Sequence, residues 1–233
     1  MTPEETTARL LYRDGMMLVL NKPAGVAVHA GPKGGPSLED DFDALRFGLP
    51  RKPSLAHRLD RDTAGCLVLG RHHKALEKLG LLFKQGKIAK TYWAIVVRGP
   101  EGENGVIDLP LGRLDDKRGW WMKVDPKGQK ALTRWRIRGR GIWRAAPIAW
   151  AELEPQTGRT HQLRVHCASQ GWPILGDAIY GERAEVSLQL LARKVVVPLS
   201  KSNPPIEVEA PAPPHMLEAL AACGFEREAL AGE

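Results

Sequence analysis

The segment 57–69 reads HRLDRDTAGCLVL, and its five residues 58–62 include two acids and two arginines. Asp60 and Asp62 provide carboxylates, and Arg58 and Arg61 provide cations that can keep a nearby carboxylate ionised. An ionised aspartate can act as a nucleophile and form a covalent intermediate. Two carboxylates can alternatively work as an acid and a base, as they do in glycoside hydrolases. These four side chains are therefore the first candidates for chemistry.

The elements around this segment indicate that its charges are held in place. Thr63 and Gly65 favour a tight turn, and the apolar run 66–69 (CLVL) predicts a buried strand directly after it. Lys22 lies in a second loop, in the sequence NKPAG. Lys22 has two functional interpretations, a contact to phosphate or a support for the site, besides that of a solvated loop lysine.

Other catalytic motifs are missing from the sequence. It contains no G-x-S-x-G, no H-E-x-x-H, no P-loop and no dinucleotide fingerprint. His72 and His73 are adjacent, so in a helix they point about 100° apart. Because no Cys or His lies at ligand spacing from them, we expect no metal site.

A stretch rich in bases and tryptophans runs from residue 113 to residue 144. In the run 133–138 (TRWRIR), alternation predicts a strand that projects Arg134, Arg136 and Arg138 from one face. Aligned arginines with aromatic neighbours suit contact with RNA or DNA. The alternative is a solvated face with core tryptophans behind it. The bases of the stretch are Arg113, Lys117, Arg118, Lys123, Lys127, Lys130, Arg134, Arg136, Arg138, Arg140 and Arg144.

The segment 156–166 (QTGRTHQLRVH) predicts a helix that starts after a glycine turn. Thr160 is the expected N-cap, and the helix is expected to run to about Ser169. Arg164 falls one turn in, and the start of a helix after such a turn favours an anion. The alternative interpretation is a solvated basic helix.

Composition and charge favour a globular chain with a polyanionic partner. The net charge is +7 and the pI is about 9.4, which fits nucleic acid or an anionic membrane surface. No apolar run approaches the roughly 18 residues of a membrane helix. The three cysteines lie far apart, and the two in apolar contexts, Cys66 and Cys167, fit reduced core residues of a cytoplasmic protein. Strands and helices mix without regular alternation, which predicts an α+β fold, and no linker interrupts a single domain over 1–233 with a core from about 10 to 223.

Four stretches, in order, resemble the motifs of the RluA-type RNA pseudouridine synthases. The sequence HRLD at 57–60, followed by Thr63 and Gly65, resembles the active-site motif of that family. The sequence KPAG at 22–25, with His29, resembles its N-terminal motif. The sequence KTYWA at 90–94 resembles the motif with the family's tyrosine, and GRTHQLRVH at 158–166 the motif with its basic residue. The match extends over most of the chain, from about residue 12 to residue 214.

The resemblance implies the pseudouridine synthase catalytic fold, with a mixed, mostly antiparallel central sheet, flanking helices and a central RNA-binding cleft. It also implies isomerisation of uridine to pseudouridine in RNA, without metal or organic cofactor. Asp60 would be the nucleophile, attacking either the uracil ring or the ribose, and Arg164 would keep it ionised. Tyr92 would lie against the base and could remove the final proton. Arg58 would fill the space of a flipped-out uridine, and Leu163 would pack beside the uracil.

Further contacts to RNA are expected from Lys22, Arg61 and the three aligned arginines. Two positions depart from the family's pattern: Ala64 replaces a usual serine, and Leu191-Ala192 replaces a frequent His-Ala. Neither is a proposed catalytic residue, so they bear on substrate choice rather than activity. The first motif begins at about residue 12, so we expect no N-terminal RNA-binding domain. A monomer that recognises a stem-loop of rRNA or tRNA, and no membrane, is the expected arrangement.

Two other classes of protein stay open at this point. A non-catalytic RNA-binding or ribosome-assembly protein could use the same fold, although Asp60, Tyr92 and Arg164 together favour an enzyme. A glycoside hydrolase would need a second placed acid, and it would leave the basic face unexplained.

Overall fold

The computed structural model describes residues 2–31, 34–115, 120–181, 185–200 and 202–226. Lys117 and Arg118 of the basic stretch lie outside these ranges. The chain divides into two compact units, each assembled from two separate stretches of sequence. Unit 1 comprises Met1–Tyr92 and Leu190–Pro211, and unit 2 comprises Trp93–Gln189 and Ala212–Glu233. A single catalytic domain over the whole chain stays a prediction.

Unit 1 is built on mostly antiparallel strands. The strand order is β1-β2-β4-β11-β12, and the pairing of β4 with β11 is the parallel one. The short strand β3 pairs with the end of β4, and β5 begins in unit 1 and continues into unit 2. The elements are α1 (Pro3–Ala8), β1 (Leu10–Arg13), β2 (Met17–Lys22), a 3₁₀ helix (Leu38–Leu45), β3 (Ser54–Leu55), β4 (Ala64–Gly70), α2 (His73–Lys84), β5 (Ala89–Val97), β11 (Leu190–Val197) and β12 (Ile206–Glu209).

The core of unit 1 lies around β4. All seven residues of β4 are buried, as a buried strand after the charged loop predicts. Leu67 and Leu69 pack with Leu18 and Leu20 of β2 and with Phe42 of the 3₁₀ helix. Because β4 is a central strand with covered faces, its start gives the preceding loop a fixed support.

Unit 2 is organised around a long hairpin. Its strands run in the order β5-β10-β9-β6, and the β9–β10 and β6–β9 pairs are antiparallel. A separate two-stranded hairpin, β7–β8, precedes β9 in the chain. The elements are β6 (Asn104–Asp108), β7 (Leu111–Arg113), β8 (Met122–Val124), β9 (Leu132–Trp143), β10 (Ala146–Pro155), α3 (Gln162–Ser169) and α4 (Pro214–Ala222).

A β-bulge interrupts the register of the β9–β10 hairpin. Gly139 pairs with Trp150, whereas Ile137 pairs with Ala151, so Arg138 is the extra residue. Beyond the bulge, a Cβ on Gly139 would overlap the carbonyl oxygen of Cys223 at the end of α4. The glycine therefore lets helix and strand approach each other closely.

The predicted α+β class and the mostly antiparallel pairing are confirmed. The helix that follows Ser37 is a 3₁₀ helix. The N-cap of α3 is His161 rather than Thr160, and His161 adopts a left-handed conformation with φ of 52°. No helix in the described ranges is long and apolar enough to cross a bilayer.

Candidate active site

Asp60 lies in the loop between β3 and β4, where it is half-buried. The Thr63 N–H donates a hydrogen bond to the Asp60 carbonyl oxygen over 3.2 Å, which closes the predicted tight turn. Gly65 follows with φ of +109°, and a Cβ there would overlap the Ala192 backbone carbonyl on β11. Glycine is thus required where β4 and β11 pair, and the turn holds Asp60 beside that pair.

Lys22 is completely buried, with 0% of its surface exposed. Its Nζ donates to the carbonyl oxygens of Pro23, Val26 and Arg61, each over 2.8 Å. Burial lowers the pKa of Lys22 to about 8, against the opposing effect of the Asp62 and Asp60 carboxylates. No N–H of the ammonium group is left for an RNA phosphate, so the predicted contact with RNA does not fit. The other interpretation, a support for the site, does fit, because Lys22 ties its own loop to the Asp60 loop.

His57 is a second support of this loop. Its Nε2 accepts a hydrogen bond from the Val68 N–H over 3.0 Å, and its ring stacks on Phe83 of α2 with centroids 4.5 Å apart. Burial, assisted by the charge of Lys90, lowers the pKa of His57 to about 3, so the ring is neutral at physiological pH. His57 therefore connects the loop to β4 and α2 and is unsuited to acid–base catalysis.

Arg58 and Arg61 are exposed on the same loop. Arg61 Nε donates to Asp62 Oδ1 over 3.0 Å, which makes an exposed pair of neighbours. The four charged residues of the segment thus differ in their surroundings. Asp60 lies in the turn, Arg58 is exposed, and Arg61 and Asp62 form an ion pair.

Tyr92 packs against the core cluster of unit 1 that surrounds β4. Burial of the phenol raises the pKa of Tyr92, and the negative charge of Asp60 raises it further. The carboxylate and the phenol are therefore close enough to interact electrostatically. A phenol with a raised pKa stays protonated at neutral pH, so this geometry favours Tyr92 as a packing surface and disfavours a phenolate base.

Arg164 of α3 is 95% buried and forms a two-pronged ion pair within unit 2. Its Nε and Nη2 donate to the two carboxylate oxygens of Asp177 over 2.8 and 2.7 Å. Asp177 also accepts the N–H groups of Ile179 and Tyr180. Burial alone would raise the pKa of Asp177, but Arg164 and these N–H groups outweigh it and lower the pKa. The orientation of the Arg164 guanidinium is thus fixed by a fully buried carboxylate.

A second set of contacts reaches the other side of Arg164. Its Nη1 lies 3.4 Å from His161 Nε2, and His161 Nδ1 lies 2.8 Å from the Tyr180 hydroxyl. If Arg164 donates to Nε2, Nδ1 carries the proton and His161 is neutral. Leu163, the predicted neighbour of the uracil, is buried with 6% of its surface exposed.

The aligned arginines lie on the opposite face of β9 from α3. Thr133 of β9 hydrogen-bonds to His166 and Gln162 of α3, and alternate residues of a strand point to opposite faces. Arg134 and Arg136 consequently point away from the helix that carries Arg164. They line a groove of about 360 Å³ together with Glu154 and Glu152, their cross-strand partners on β10. Arg138, in the bulge, lies against the Trp150 ring.

Unit 1 brings together Asp60, Tyr92 and Lys22, and unit 2 holds Arg164 with Leu163 in one helix. The aligned arginines are separated from α3 by the sheet. The sequence interpretation missed Asp177 and the supporting role of His57. The Gly-Asp pair at 176–177 was a usable signal for the first, because a buried arginine needs a carboxylate partner.

The two departures from the family's pattern pair with each other. Ala64 of β4 and Leu191 of β11 are register partners, and both are fully buried. An apolar pair thus occupies the positions where the resemblance predicts a hydroxyl and an imidazole.

Comparison with known proteins gives a consistent result. The family model described as RNA pseudouridylate synthase matches residues 16–169, a range that includes Asp60, Tyr92 and Arg164. An uncharacterized RNA pseudouridine synthase of Zymomonas mobilis is 41% identical over 209 residues, covering 88% of this chain and 94% of that protein. Ribosomal large subunit pseudouridine synthase C of Vibrio cholerae is 34% identical over 223 residues, covering 91% and 68%.

The fold is also similar to that of a solved human structure. Human RNA pseudouridylate synthase domain containing 4 superposes with a TM-score of 0.80 at 26% sequence identity. The superposition covers 97% of this chain and 96% of the human one.

Proposed function

The chain belongs to the RNA pseudouridylate synthase family, and from this premise we propose that it modifies a uridine in a stem-loop of rRNA or tRNA with Asp60 as the nucleophile. As a family member it is an isomerase that converts uridine to pseudouridine in RNA. One observation supports the assignment of Asp60: its backbone closes a tight turn, and its carboxylate lies in electrostatic range of Tyr92. A cytoplasmic location is part of the same proposal, supported by three free, buried cysteines.

The isomerisation requires few groups from the protein. The bond between N1 and C1′ breaks, a bond between C5 and C1′ forms, and a proton leaves C5 while N1 gains one. Asp60 attacks the uracil ring or C1′, forms a covalent intermediate and leaves again. Tyr92, as a protonated phenol beside Asp60, lies against the uracil.

Arg164 supplies the positive charge that keeps Asp60 ionised, a role that follows from its motif. The ion pair with Asp177 supports this role because it holds the Arg164 guanidinium in one orientation. A fixed cation stabilises a developing charge better than a flexible one. Arg164→Lys is expected to lose most activity, because an ammonium group cannot hold the two-pronged pair.

The substrate is proposed to be a uridine that leaves its base stack. Flipping costs a few kcal/mol, and the exposure of Arg58 on the Asp60 loop supports the proposal that this side chain occupies the vacated space. The Vibrio cholerae relative is named for the large ribosomal subunit, which supports rRNA as the first RNA to test.

Release of tritium from RNA labelled at uracil C5 tests the proposal directly, since C5 loses its hydrogen. Total RNA from a strain that lacks this protein is the substrate, and pseudouridine mapping then locates the product. Asp60→Asn is expected to lose activity by about 1000-fold or more while still binding RNA. Asp62→Asn is the matched control, and most of its activity is expected to remain.

Two results would contradict the proposal. RNA binding by the unsubstituted protein without any product would support the non-catalytic RNA-binding alternative. Equal losses in Asp60→Asn and Asp62→Asn would remove the special role of Asp60.

A further inference from the structure

The β7–β8 hairpin presents an exposed indole. Trp120 precedes β8, and 57% of its surface is exposed, more than for most large apolar residues in the described ranges. Its ring contacts Trp121 and His161 at steep interplanar angles, with centroid distances of 5.9 and 5.4 Å. Because 57% of the residue surface is exposed, the indole is accessible to a ligand.

The hairpin beside Trp120 is held in place by hydrogen bonds and by packing. The Met122 N–H donates to the Tyr180 hydroxyl over 2.9 Å, and the Leu114 N–H donates to the Trp121 carbonyl oxygen over 2.7 Å. Tyr180 and Met122 also pack on the small core formed by Leu111, Ala131 and Val165. The hairpin is therefore anchored to the segment that contains α3, and a rigid ring loses little entropy when a ligand stacks on it.

Trp120 lies one side chain away from Arg164. Its ring contacts His161, and His161 Nε2 lies 3.4 Å from Arg164 Nη1. The cations Arg113 and Lys123 are exposed on the two strands of the hairpin, beside an exposed Asp115. An exposed aromatic ring with nearby cations is the combination that binds unpaired nucleotides, because every base has a π-face and every nucleotide a phosphate.

We propose that Trp120 is a stacking platform for an unpaired base of the RNA substrate. The inference rests on the proposed function and adds to it a residue that recognises the flanking nucleotides. RNA loops are read mainly through unstacked bases on aromatic side chains. An unpaired base of such a loop has lost a stacking partner, and the exposed indole of Trp120 supplies one.

The test compares Trp120→Ala and Trp120→Phe with Ile142→Ala. Ile142, 74% exposed at the tip of the β9–β10 hairpin, is the matched control for loss of exposed apolar surface. The RNA is the stem-loop around the uridine mapped with the unsubstituted enzyme, and tritium release gives kcat and KM. Binding is measured separately in the Asp60→Asn background.

Trp120→Ala is expected to raise KM and Kd by about tenfold to a hundredfold, with a smaller change in kcat. The KM and Kd of Trp120→Phe should lie between those of Trp120→Ala and the unsubstituted enzyme, since a smaller ring still stacks. The KM and Kd of Ile142→Ala should equal those of the unsubstituted enzyme. Unchanged thermal unfolding would exclude a folding defect. Normal product formation with KM and Kd of Trp120→Ala within about twofold overturns this inference alone. Absence of product from the unsubstituted enzyme overturns the proposed function and the inference with it.

Discussion

Several charged side chains of this protein are buried, where removing the charge from water costs free energy. The Lys22 ammonium is completely buried, and three carbonyl groups accept its three hydrogens. The Arg164–Asp177 pair is equally removed from water. Buried charges of this kind are tolerated only with full hydrogen bonding, so each fixes the backbone segments that supply its partners.

Lys22 gives a prediction for alkaline pH. Its pKa is about 8 in the folded protein and about 10.4 in an unfolded chain, so the folded state loses the proton first. The cost of burying the charge is complete below pH 8 and is relieved as pH rises to 10.4. Relative to Lys22→Met, the free energy of unfolding should therefore rise by about 3 kcal/mol over this window. Urea unfolding at several pH values measures it, and parallel pH profiles of the two proteins would contradict it.

Asp177 gives a prediction for acid pH. Its pKa is lowered in the folded state, so its stabilisation is present above the unfolded value near 3.9 and is lost as pH falls through the folded value. Asp177→Asn should reduce stability by about 3–5 kcal/mol and flatten the acid limb of the stability profile. It should also lower kcat, because Arg164 loses its fixed orientation. Glu207→Gln, which breaks the exposed pair with Lys194, is the control and should cost about 0–1 kcal/mol.

At the level of elements, strands β4 and β9 do most of the positioning. β4 supports the Asp60 loop through its pairing with β11. β9 separates the α3 face from the arginine face. In both strands the decisive positions are glycines or a bulge, where the backbone departs from regular pairing.

Gly65→Ala tests the support of the Asp60 loop. The substitution is strained at φ of +109°, and its Cβ meets the backbone of Ala192 rather than a movable side chain. We expect a loss of about 2 kcal/mol or more in stability, together with a large loss of activity. Gly80→Ala in α2 is the matched control, since nothing lies within 4 Å of its Cβ. It should instead be about 0.5–1 kcal/mol more stable. Retained activity in Gly65→Ala would show that the loop tolerates movement of β4.

The sequence predicted the elements that have a long or strong pattern. The apolar run after Gly65 predicted β4, and alternation predicted β9 with its exposed arginines. It missed α1, whose start depends on a two-residue capping box, Thr2 with Glu5. It also missed β6 to β8, which are too short and polar for a clear period. The N-cap of α3 moved to His161 because its left-handed backbone is set by tertiary contacts.

Side-chain partners were harder to predict than elements. The burial of Lys22 depends on carbonyls of two loops, one of them 39 residues away in sequence. The partner of Arg164 comes from a loop after its own helix. Such pairings depend on three-dimensional proximity, which residue spacing does not specify. The four motifs named the family because their residue types could be matched without knowing their contacts.

At the scale of the whole molecule, the cationic side chains of unit 2 lie on two separate faces. In unit 2 the Trp120 hairpin is anchored to the segment of α3, whereas Arg134 and Arg136 line the opposite side of β9 beside two glutamates. The proposed RNA contact of the aligned arginines therefore concerns a second surface with mixed charge.

Substitutions on this second surface decide whether RNA reaches it. If phosphates contact the arginines, Arg134→Gln with Arg136→Gln should lower the salt dependence of log Kd by about one per lost contact. Glu152→Gln with Glu154→Gln should strengthen binding, because two repelling carboxylates are removed. Lys74→Gln with Lys78→Gln, at two exposed positions of α2, controls for the loss of two positive charges. If neither pair of substitutions changes the salt slope, these arginines belong to a solvated face.

The parallel pairing of Ala64 with Leu191 has a consequence for folding during translation. The strand that supports the Asp60 loop is synthesised early, but its neighbour β11 emerges only after most of unit 2 has been translated. Pairings so distant in sequence form late and slowly. We therefore expect a nascent chain to remain inactive until β11 has left the ribosome and paired with β4.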